Sequence, residues 1–225
     1  MNKNPQHLIS LFASVFFAFI AFGSFDEKDE VIDPPTTNDL EDAVSDMNKS
    51  FKIISENIYV IPEESEEGYN ELKTLITEDN NSSSRYFWQS ERSLKEKKHT
   101  ALKNMETNLD NCKEASKEMT EELVNLNLRT EKYFKMLDRN LELQPANLRS
   151  KQATRIGEVK TKIDKIYLNI KLLGIKLDEQ VKEFEGIVAY LRGDYALDNI
   201  EEGTQIELRN VSKNADKLAI EINEK

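Results

Sequence analysis

Between Leu40 and Ile61 the apolar residues fall at Leu40, Val44, Met47, Phe51, Ile54, Ile58 and Ile61. The intervals alternate between four and three, the mark of a helix that packs against other helices along a 3.5-residue seam. Asn38 is placed to cap this helix, with Glu41 at the third helical position completing a capping-box start. Pro62 lacks an amide hydrogen and disfavours helical geometry in the residue before it, so the helix is expected to stop there. A short second helix is expected over 64–78, with Tyr69, Leu72, Leu75 and Ile76 facing inward. The polar run from Asp79 to Ser84 reads as a loop.

From Arg85 to Leu143 neither Gly nor Pro interrupts the chain, and an apolar phase runs from Phe87 through Leu94, Ala101, Met105, Leu109, Cys112, Met119, Leu123, Leu126, Tyr133 and Leu137 to Leu141. Polar residues stand on the phase at Lys98, Ser116 and Thr130, and the thin stretch between Cys112 and Met119 is where a long helix would bend or break. Pro145 marks a reversal. The next seam is the strongest, through Ile156, Val159, Ile163, Ile166, Ile170, Leu173, Leu177, Phe184, Val188 and Leu191. Arg192-Gly193-Asp194 then forms a turn, and a last helix is expected over 196–222, carrying Ile200, Leu208, Val211, Ala215, Leu218 and Ile222. Successive seams joined by short reversals predict an all-α fold, an elongated antiparallel helical bundle with coiled-coil-like heptad seams. No internal repeat of solenoid length is visible.

The first residues follow a different pattern. Lys3 precedes an almost wholly apolar stretch from Leu8 to Phe22, and small residues stand at Ala21 and Gly23. This is the layout of a cleavable signal peptide over 1–23, too short and too interrupted for a comfortable membrane span. An uncleaved membrane anchor is the other reading. The segment 24–38 is acidic, contains Pro34-Pro35, and lacks periodicity, so it reads as a flexible linker, leaving 39–225 as the helical-bundle domain. The expected location is extracytoplasmic: secreted, at the cell surface, or periplasmic.

Composition narrows the function classes. The formal charge is −11, which argues against a nucleic-acid partner, since phosphate binding needs a positive field. No second apolar segment follows the leader, so insertion of the mature chain into a membrane is not expected. The two histidines, His7 and His99, are far apart in sequence, and the single cysteine, Cys112, has no histidine in phase with it. No phosphate-binding loop, dinucleotide fingerprint or nucleophile elbow is present. No catalytic, cofactor-binding or metal-binding residues are therefore assigned, and no enzyme activity is expected. Cys112 reads as a buried small hydrophobe. In an exported chain, the sharper alternative is a disulfide joining two copies.

Two features remain as candidate partner-binding residues. Arg192, Gly193 and Asp194 form the tripeptide that integrins read, although a helix end also favours glycine there. Arg85, Tyr86 and Trp88 belong to the densest aromatic cluster, of a kind favoured at interfaces and equally ordinary as a bundle-end seal. The apolar leader, the unstructured tether and the Lys/Glu/Asn/Ile-rich acidic helices resemble, in layout, the helical surface antigens of Lyme-type and relapsing-fever spirochaetes. The resemblance implies binding to host proteins such as complement regulators or matrix components. This chain departs from those antigens at Phe22-Gly23-Ser24-Phe25, where no lipid-accepting cysteine follows the leader. The function expected is binding of a protein partner by an exported bundle of adhesin or host-interaction type. The alternative is an envelope structural coiled coil that acts as a spacer or self-assembles through a heptad seam.

Overall fold

A computed structural model describes residues 35–81, 87–193, 196–197 and 200–223, with side chains at 35–74, 93–193, 196–197 and 200–221. Its elements are α1 (Thr37–Asn81), α2 (Phe87–Glu142), α3 (Ala146–Leu191) and α4 (Glu202–Asn223), and among the described residues there is no strand. The protein is an all-α helical bundle.

The start of α1 differs from the expected cap at Asn38. The cap is Thr36, whose hydroxyl accepts the Asp39 amide at 3.2 Å while the Asp39 carboxylate accepts the Thr36 amide at 2.7 Å and hydroxyl at 2.8 Å. These Thr36 hydrogen bonds hold the Asp39 carboxyl below its ordinary range. A threonine with a carboxylate three residues on satisfies two orphan donors reciprocally, which places the cap two residues ahead of Asn38. The expected linker therefore ends earlier; its first eleven residues and the leader lie outside the described residues.

The expected stop at Pro62 is also corrected, because α1 runs through it to Asn81 as one helix. Met47, Phe51, Ile54, Ile58, Ile61, Ser65, Gly68 and Leu72 are all buried, at alternating intervals of four and three on both sides of the proline. An interior proline costs roughly 3 kcal/mol, and burial of the seam on both sides offsets it. The residues placed in a separate helix and in the loop as far as Asn81 belong to α1, and 82–86 lie outside the described residues.

No break occurs in α2 between Cys112 and Met119. Ala115 and Ser116 are buried there, and the Ser116 hydroxyl donates to Asp178 at 3.3 Å. The polar positions Lys98, Ser116 and Thr130 all lie on the buried face, as their phase required. At the Pro145 reversal, Arg149 donates to the carbonyls of Glu142 and Gln144 at 2.8 and 3.1 Å, satisfying acceptors that the end of α2 leaves open. The last helix begins at Glu202, six residues later than expected, where the Thr204 amide donates to the Glu201 carbonyl. Ala219 rather than Leu218 completes its buried face, so small residues at Ser212, Ala215 and Ala219 line its contact.

The described residues divide into two compact units. A three-helix unit combines 35–56 of α1, 120–172 of α2 and α3, and their connection. A four-helix unit combines 57–119 with 173–223, and so contains α4. In the four-helix unit Asn57 pairs with Glu118 and Glu71 with Asn104, so α1 and α2 are antiparallel. Lys113 with Glu185 and Glu106 with Arg192 make α2 and α3 antiparallel there. In the three-helix unit Ser50 meets Glu122 and Lys160 lies over the Phe134 ring, giving the same directions.

The strongest predicted seam divides by unit. Leu173, Leu177, Phe184, Val188 and Leu191 are buried in the four-helix unit. In the three-helix unit only Ile163 and Ile170 are buried, while Ile156, Val159 and Ile166 are half-buried. Ile166, in the middle of the strongest predicted seam, is thus only half-buried, in a unit of three helices rather than four.

Candidate functional site

Arg192 and Gly193 lie just beyond α3, exposed, and Asp194 lies outside the described residues. Arg192 is engaged: its Nε donates to Glu106 of α2 at 2.9 Å. An exposed pair of this kind contributes at most about 1 kcal/mol, so a partner's carboxylate can displace it at small cost. Gly193 does not adopt left-handed backbone, and a Cβ there would meet only ordinary contacts, the nearest being the Tyr190 carbonyl at 3.7 Å. The local turn therefore does not require glycine. Of the aromatic cluster, Arg85 and Tyr86 lie outside the described residues, and Trp88 is described only as a position on the first turn of α2.

Cys112 is fully buried beside the break that Pro62 makes in the α1 hydrogen-bond ladder. Its Sγ lies 3.6 Å from the Ile61 carbonyl and 3.8 Å from the Ser65 hydroxyl. Burial pushes the thiol up to about 12, against a lowering by Ser65. A disulfide between two copies through Cys112 would require the four-helix core to open first. His99 is exposed and lines a depression with Lys95, Glu96 and Thr100, so that among the described residues the lining comes from adjacent turns of α2 alone. Among the described residues no group of three or more His, Cys, Asp or Glu side chains is arranged to hold a metal. No described helix is long and apolar enough to cross a membrane.

The best-defined polar cluster lies in the three-helix unit. Glu122, 8% exposed, accepts the Ser50 hydroxyl at 2.6 Å, Asn125 at 2.9 Å and Arg129 at 2.9 Å. Arg129 also donates to the Asp46 carbonyl at 2.9 Å and to Ser50. Desolvation raises the Glu122 carboxyl, but the hydrogen bonds from Ser50 and Asn125 and the Arg129 charge outweigh it and leave the group below its ordinary range. These hydrogen bonds join α1 to α2 or lie within α2, so the cluster ties the two helices in register and its carboxylate is engaged rather than open. The sequence reading missed it, because its members are spread over 46–129 and each looks like a surface residue.

The sequence reading also missed the surface of the three-helix unit. Val124, Leu128, Leu168 and Leu172 are among its exposed large apolar side chains, between 51% and 58% exposed. Leu168 and Leu172 stand one turn apart on α3, flanked by Lys165 and Lys171. Over 146–172 the chain carries seven basic residues against Glu158 and Asp164, a net of +5 in a molecule of −11. That asymmetry was legible in the sequence and was hidden by the total charge. No protein-family model, curated protein or solved structure matches the chain.

Proposed function

We propose that the chain is an exported helical-bundle protein that binds a protein partner, of adhesin or host-interaction type. The observation that carries the reading is the outward apolar pair Leu168 and Leu172 set among lysines on α3 of the three-helix unit. Large apolar side chains held outward on a rigid helix, ringed by charge, suit anchoring in a partner's pocket. The leader-like sequence and the layout resemblance to spirochaetal surface antigens support placement outside the cytoplasm. The Arg192-Gly193-Asp194 turn is a second, smaller contact in this reading. A structural spacer or self-assembling scaffold is the competing function, favoured by the unbroken heptad spacing of buried residues along α1 and α2.

Site-specific photo-crosslinking in the producing cells, with its surroundings present, separates these. A photoreactive residue at Leu168 is expected to capture a distinct protein, while one at the exposed Lys52 captures none. Adducts only between copies of the chain would transfer the assignment to the scaffold. Equal background at both positions would remove the binding surface. Protease treatment of intact cells tests location, with degradation expected without lysis.

A further inference from the structure

We draw no further inference here: the strongest candidate, the outward apolar pair Val124 and Leu128 on α2 of the three-helix unit, carries nothing, because nothing in the structure shows what covers it and the flanking Glu121, Glu131, Lys132 and Lys135 balance in charge and so name no partner.

Discussion

Gly68 stands on the buried face of α1 because the Phe184 ring fills the space its side chain would take: a Cβ there would lie 2.7 Å from Phe184 Cζ. Phe184 is itself fully buried, so its ring has little freedom to yield. Gly68→Ala is expected to destabilise by about 1–3 kcal/mol through overpacking. Gly186, also within a helix, meets nothing within 4 Å, and Gly186→Ala should stabilise by about 0.5–1 kcal/mol through reduced backbone entropy. Opposite melting shifts are expected; shifts of the same sign would contradict the packing assigned to Phe184. At Glu122 the readout is pH. A carboxyl whose folded pKa is depressed stabilises the fold above its unfolded pKa, and that stability is lost as pH falls through the folded value. Glu122→Gln should therefore cost about 1–2 kcal/mol at neutral pH. Its deficit should shrink below the ordinary carboxylate range, as followed by denaturant unfolding from pH 7 to pH 3. A deficit constant over that range would mean that shape, not charge, holds the cluster.

Along a whole helix, the alternation of four and three was more informative than any single residue. The apolar phase placed the buried face of α2 correctly from Lys98 to Leu137, including Ser116 and Thr130, while Leu94 and Leu141 near its ends are half-buried; period is a property of the element and survives polar exceptions. It failed at Pro62 because a local steric rule was given more weight than the phase, which continues through Ser65 and Gly68 to Leu72. Small residues on a seam carry no hydropathy signal, so the continuation was hard to see. It failed again at Ile166, where phase says which way a side chain points and not whether a neighbour is present to cover it. Of the candidate site residues, the sequence marked Arg192 by motif but could not show its Glu106 partner, eighty-six positions away. The two halves of the α3 seam make this measurable. Leu177, fully buried, should lose about 2–5 kcal/mol on Leu177→Ala through the cavity left behind. Ile166→Ala, at a half-buried position, should lose less than about 1.5 kcal/mol. Comparable losses would mean that Ile166 is covered in solution.

At the level of the whole molecule the negative charge is unevenly placed: −4 over 26–33 and +5 over 146–172, within a total of −11. Whether the apolar leader is removed bears directly on where that acidic stretch is held. If the leader is removed after Gly23, the acidic stretch becomes the start of the mature chain, and its only covalent tether is the entry into α1. If the leader stays, the same stretch is held at a membrane from one end. The small residues Ala21 and Gly23 after an apolar run favour removal. Material isolated from its native source should therefore begin at Ser24, as read by intact mass and N-terminal sequencing. A retained Met1 would assign the apolar stretch to an anchor. The carboxylates of 26–33 would then be tethered a few residues from the membrane.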